Sequence, residues 1–172
     1  MSINAKLGAG YEAIRAAARF KTIKVNLNDV QFELRVRVPV KREMEAIQQA
    51  VASVDKALVD KLYRGMADPL LKTVEEAGEG FLDAINQEKQ TITIKDDDIE
   101  VGGTSVRRVA ELSAIWQTQV EKYFALLESQ TGEPINETFD QISDEFPESV
   151  IKEIVGKIDE AIRPNYKDTK KN

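Results

Sequence analysis

The sequence predicts an α+β fold, mainly helical, with an N-terminal β-hairpin and a second short hairpin. Three observations predict it. The stretch KTIKVNLNDVQFELRVRVPVKREMEAIQQAV, Lys21 to Val51, changes its hydrophobic period halfway, from every second residue to every three or four. A brief second alternation appears in QTITIKDDDIEVGGTSV, and most remaining apolar residues recur at helical spacing. With 172 residues and 42% hydrophobic content, the chain can bury one ordinary core and leave tails outside it.

The elements follow in order. GYEAIRAAAR, Gly10 to Arg19, is Ala-rich and favours a short helix or arm that is marginal without tertiary contacts. Ile23, Val25 and Leu27, then Val30, Phe32, Leu34, Val36 and Val38, alternate as two half-buried strands. Asn28-Asp29 suits a two-residue type I′ turn between them, because both residues tolerate positive φ. Lys24, Asn26, Gln31, Glu33, Arg35 and Arg37 then share the opposite face, which is polar and on balance basic. Pro39 ends the pairing, and Met44, Ile47, Val51, Val54, Leu58 and Leu62 predict a long helix from about Lys41 to Gly65. A second helix is expected from Pro69, at a first helical turn, through Ile85, weakened by Gly78 and Gly80.

Ile92 and Ile94, then Ile99 and Val101, predict the second hairpin, closed by Gly102-Gly103, with Thr104 or Ser105 capping the next helix. Val106, Val109, Leu112, Trp116, Val120, Tyr123, Phe124 and Leu127 give that helix a broad face assigned to the core. Thr138 and Gln141 have capping-box spacing within a connector broken by Gly132, Pro134 and Pro147. Ile151, Ile154, Val155, Ile158 and Ile162 form one stripe on a last helix, Glu148 to Arg163, which Pro164 stops. The expected organisation is an arm over 1–20, a core over 21–131, a connector over 132–147, a C-terminal helix over 148–164 and a disordered tail over 165–172.

Composition excludes several chemistries. The chain has no Cys and no His, so disulfide frameworks, thiolate sites, Cys nucleophiles and histidine bases are absent. No apolar run reaches the roughly 18 residues of a membrane span, and MSINAKLGAG lacks the apolar segment of a signal peptide, so an intracellular protein outside the membrane is expected. Charge is uneven: 13 Lys plus Arg against 8 Asp plus Glu up to Lys72, then 11 against 22 from Thr73 onward. Such asymmetry suits steering of a partner or head-to-tail alignment of copies, unless both halves are simply solvated.

No motif carries catalysis. The run Asp96 to Asp98 with Glu100 fails the EF-hand pattern, since Val101 and Arg107 stand where Gly and Glu belong; an acidic turn in water is preferred to a Mg²⁺ site on Asp96 and Asp98. GAG, GEG and VGGTS match no phosphate loop. Phe32 falls on the apolar side, leaving the basic hairpin face without an aromatic platform, which argues against nucleic acid. An exposed hairpin offers a row of unpaired backbone groups, so the candidate partner-binding residues are Lys24, Arg35 and Arg37 on it, and Ile151, Ile154 and Ile158 on the last helix. Reversing Arg35 and Arg37 to Glu is expected to spare stability and weaken capture.

RVRVPVKREMEAI, a strand meeting Pro39 and then a charged helix, and KDDDIEVGGTSVRRVAEL resemble small proteins encoded among the tail genes of long-tailed bacteriophages, particularly tail assembly chaperones. The resemblance spans about Lys21 to Leu127. It implies a non-enzymatic, cofactor-free viral protein of the host cytoplasm, monomeric or a small homo-oligomer. It also implies partners, the tail-tube and tape-measure proteins, whose apolar assembly surfaces stay covered until polymerisation. The sequence shows no counterpart of the family's extended, frameshift-derived region, which leaves the tape-measure contact unassigned. Two other readings stay open: a virion structural protein such as a tail terminator or head-tail connector, and an acidic inhibitor or nucleic-acid mimic using the −11 half.

Overall fold

The structure, a computed structural model, describes residues 3–87 and 91–163. The fold is α+β and mainly helical, with an N-terminal two-stranded antiparallel hairpin and a later three-stranded sheet. Its elements are α1 Ile3–Leu7, α2 Ala9–Ala18, β1 Phe20–Leu27, β2 Val30–Arg37, α3 Lys41–Ala52, α4 Lys56–Ala77, α5 Phe81–Gln87, β3 Ile92–Ile94, β4 Ile99–Val101, β5 Thr104–Ser105, α6 Val106–Phe124, α7 Phe139–Glu145 and α8 Glu148–Ile162. The expected tail over 165–172, and Pro164 before it, lie outside the described residues. No described helix is long and apolar enough to cross a membrane.

The chain divides into two compact units, Met1–Gln48 with Gln119–Asn172, and Gln49–Thr118. That division differs from the expected core over 21–131, because the C-terminal helix belongs with the hairpin. Sequence spacing sees neighbours along one element, whereas α8 packs on β1 across more than a hundred residues.

In the first unit, Asn28 and Asp29 adopt φ 48° and 66°, the left-handed pair that a type I′ turn requires. The turn fixes the register, with Leu27 opposite Val30, Val25 opposite Phe32 and Ile23 opposite Leu34. Ile23, Val25 and Val36 on one face of the hairpin are buried, as are Val120, Tyr123 and Phe124 of α6 and the inner face of α8. The Phe124 and Phe146 rings sit 6.0 Å apart at a tilt of 57°, within the range favoured by edge-to-face aromatic pairs. Thr138 caps α7 as expected: its hydroxyl accepts from Gln141 N–H, and the Gln141 side chain accepts from Thr138 N–H.

The second unit holds α4, α5, the small sheet and the first part of α6. Val59, Ala110 and Ala114 are buried together, with Val54, Leu58, Leu62, Tyr63 and Met66 against them. Ala67, Ile99 and Val106 form a second cluster. The two alanines of α6 are fully buried, whereas Val109 and Leu112 are 37% and 51% exposed. The α6 face expected from spacing is thus buried at Val106, Val120, Tyr123 and Phe124 but not at Val109 and Leu112, where the small side chains of Ala110 and Ala114 let α4 approach and form the buried side.

Two helix boundaries also move. The expected single helix from Lys41 to Gly65 breaks at Ser53–Asp55, where the Asp55 carboxylate accepts from Ala57 N–H at 2.9 Å and caps α4. Gly65 and Pro69 then lie inside α4. Proline at this position leaves Gly65 C=O without its usual helical donor, a loss that α4 tolerates within 22 residues. Gly78, with φ 79°, terminates it. The predicted second hairpin gains a strand, since Gly102 and Gly103, at φ 56° and 78°, turn β4 into β5.

Candidate functional site

The hairpin register decides which backbone groups face outward. Opposed residues in an antiparallel pair alternate between those that exchange both hydrogen bonds and those that aim N–H and C=O at the outer edges. Arg37 N–H donates to Leu126 C=O and Glu128 N–H donates to Arg35 C=O, both at 2.8 Å, so Arg35 and Arg37 belong to the outward set. Their partners Thr22 and Phe20 belong to it on β1, and alternation adds Lys24 and Asn26.

The two edges differ. At Arg35–Arg37 the β2 edge is closed by the chain itself, with Val36 bridging to Leu127. On β1, Asn26 N–H donates to Glu153 Oε1 at 3.3 Å. Among the described residues the N–H groups of Thr22 and Lys24 have no acceptor. Alongside them runs a groove of ≈ 340 Å³, lined by Lys21 to Lys24 of β1 and by Lys157, Glu160 and Ala161 of α8.

The basic face of the hairpin is largely spoken for. Lys24 lies 3.7 Å from Glu33, directly across the hairpin. Arg35 pairs with Glu128 at 2.7 Å, and its guanidinium carbon lies 4.7 Å from the centroid of the Phe20 ring. Arg37 pairs with Glu43 at 2.8 Å. Glu43 also accepts from Val40 N–H at 2.9 Å, so one carboxylate caps α3 and anchors the end of β2. The Val40 N–H, then Arg37, hold that carboxyl below its ordinary range against an opposing effect of desolvation. The expectation of an aromatic-free face is corrected. Phe20 opens β1 on that face, but Arg35 covers its ring.

The three isoleucines of the last helix are corrected as a contact surface. Ile151, Ile154 and Ile158 are 2%, 0% and 0% exposed. Their stripe is the apolar floor beneath the hairpin, so a partner reaches it only by unpacking the unit. Tyr123 hydroxyl donates to Asp159 Oδ1 at 2.7 Å and holds α8 further.

The acidic run does local structural work at Asp98. Its Oδ1 accepts from Ile99 N–H at 2.8 Å and Arg107 N–H at 2.9 Å, and its Oδ2 accepts from the Ser105 hydroxyl. Ser105 Oγ in turn accepts from Arg108 N–H at 2.9 Å, so the two side chains together cap α6. Desolvation opposes ionisation of Asp98, but the bonds from Ser105, Arg107 and Ile99 outweigh it and lower its pKa. Three donors thus occupy most of the acceptor capacity of Asp98, which ties this carboxylate to the start of α6. Arg107 completes the corner, 4.2 Å from the Tyr63 ring centroid and 3.0 Å from Asp60.

Sequence reasoning found the hairpin and its basic face but missed the groove residues Lys21, Lys157 and Glu160. Strand parity places Lys21 on the α8 side of β1, whereas nothing local announces that Lys157 stands beside it. No family model, curated protein or solved structure matches this chain.

Proposed function

We propose that this protein is a non-enzymatic binding protein that pairs with another polypeptide during assembly of a long-tailed phage tail. The tail-specific part rests on the resemblance over Lys21 to Leu127. In that role it acts in the host cytoplasm as a tail assembly chaperone, holding tail-tube or tape-measure protein before polymerisation. One observation supports a pairing function above the rest: the β2 edge is closed by Leu126–Glu128, while on the β1 edge the donors of Thr22 and Lys24 have no acceptor among the described residues. Unpaired strand edges recruit further strands, and a protein that lends one to a partner gains main-chain hydrogen bonds with little demand on sequence.

The test is co-expression with the tail-tube protein or tape-measure protein of a long-tailed phage, followed by light scattering of whatever co-purifies. A discrete complex in which the tube protein stays unpolymerised is expected. Stable rings of this chain alone, with neither protein captured, would replace the proposal with a virion structural role.

A further inference from the structure

The open edge and its groove carry charge, and that charge selects what enters. Lys21 shares the inward parity of Ile23 and Val25, so its side chain rises on the α8 side of β1, where Lys157 and Glu160 line the same groove. Lys24, on the other face, is held by Glu33. Among the described residues neither Lys21 nor Lys157 has an ion-pair partner within 4.0 Å. Among the described residues the groove is thus lined by one ammonium group from each side, neither in an ion pair, against the single carboxylate of Glu160, and it borders the unpaired backbone donors of β1.

We infer that the groove between β1 and α8 receives an extended acidic segment of a partner protein, which adds as a strand to Thr22–Lys24 and turns carboxylates toward Lys21 and Lys157. This rests on the reading of the chain as a binding protein and names the chemistry of what it binds. Strand addition satisfies the outward N–H and C=O groups of Thr22 and Lys24. Alternation then directs every second side chain of the incoming strand at α8, where opposite charges across neighbouring strands are favourable. A second copy of this chain fits less well. In the two-fold register that pairs Thr22 of one copy with Lys24 of the other, Lys24 faces Thr22 and Lys21 faces Val25, so a second β1, which carries two lysines and no carboxylate, brings more positive charge to the edge and no counter-charge to Lys21 or Lys157.

The experiment uses the full chain and fluorescence anisotropy with two labelled peptides, about eight residues long to match an ordinary strand, one alternating Thr and Glu, the other Thr and Lys. The Thr-Glu peptide is expected to bind about tenfold more tightly than the Thr-Lys peptide, as one cross-strand charge pair with Lys21 and one surface pair with Lys157 imply. Lys21→Glu with Lys157→Glu should abolish that preference, and Thr22→Pro should remove binding. Proline at Thr22 deletes an outward donor and leaves the hairpin's own ladder intact. Should Thr22→Pro fail to fold, the charge-reversed variant still decides the matter. Equal binding of both peptides, binding of neither, or undiminished binding to Thr22→Pro would overturn the inference. So would concentration-dependent dimerisation lost in Thr22→Pro, which would make a second copy the occupant. Capture of a tail protein undiminished by Thr22→Pro would leave the binding role standing and remove only this site; no capture by the wild type would count against the role itself.

Discussion

Arg35 and Glu128 are joined twice, by an ion pair at 2.7 Å and by Glu128 N–H donating to Arg35 C=O at 2.8 Å. The double link converts the edge of β2 from a docking surface into part of the fold. It also makes the basic face of the hairpin a set of intramolecular pairs, with Arg37 on Glu43 and Lys24 on Glu33.

Arg35→Glu with Arg37→Glu therefore should not be neutral, contrary to what the sequence suggests. Each substitution sets a carboxylate against an existing one at ion-pair distance, and exposed pairs of this kind are worth up to about 1 kcal/mol. We expect urea denaturation to show a loss of about 1–2 kcal/mol, partly restored by adding Glu128→Arg. A double variant as stable as the wild type would mean that these pairs do not persist in solution.

Ile154→Ala should cost about 2–4 kcal/mol, because the side chain is fully buried beneath the hairpin. Leu112→Ala, at a position 51% exposed, should change stability by no more than about 0.5 kcal/mol. A loss of several kcal/mol from Leu112→Ala would show that this part of the α6 stripe is buried in solution, contrary to its exposure here.

Asp98→Asn should destabilise the protein near neutral pH by about 1 kcal/mol, the usual scale for losing a helix cap. Folding lowers the Asp98 pKa, so its contribution is complete above the ordinary Asp value of about 3.9 and is lost as pH falls through the folded value. Stability curves of wild type and variant should stay parallel from pH 7 to 5 and converge in acid. A gap that widened in acid would contradict the cap.

Tyr123→Phe removes the hydroxyl that donates to Asp159 and should cost about 1.5 kcal/mol, typical of a hydrogen bond to a charged group. Burial first, and then this bond to a carboxylate, raise the Tyr123 pKa. The folded state therefore favours the neutral phenol: the contribution is present below the ordinary Tyr range near pH 10 and fades as pH rises through the folded value. Ultraviolet titration should find Tyr123 ionising later than exposed tyrosines, and the Phe variant should lose that late step.

Local pattern made much of this fold legible. Alternation and the Asn28-Asp29 pair specified the hairpin and its register, and Thr138 with Gln141 announced a capping box that the structure contains. Spacing failed where a residue's role depends on a distant element. Leu112 and Ala110 sit on one helix with the apolar residue outward, because α4 needs the small side chain for close approach. Ile151, Ile154 and Ile158 fit a core stripe and a docking stripe equally well by spacing, and only the packing of α8 on β1 decides for the core. Asp98 looked like part of a solvated acidic turn, yet its acceptors serve Ser105 and Arg107 across the sheet. The candidate site was half visible: parity marks Thr22 and Lys24, but the closure of the other edge by Leu126–Glu128 lies about ninety residues away and has no local signature.

The central claim is that the β1 edge stays open in the free protein and is filled by a partner strand. Residue-resolved amide hydrogen exchange at Thr22 and Lys24, with and without a captured partner, measures it directly. Rapid exchange in the free chain and strong protection in the complex are predicted, while Ile23 and Val25, inside the hairpin ladder, stay protected throughout. Slow exchange at Thr22 and Lys24 in the free chain, or no change when a partner is bound, would contradict the account.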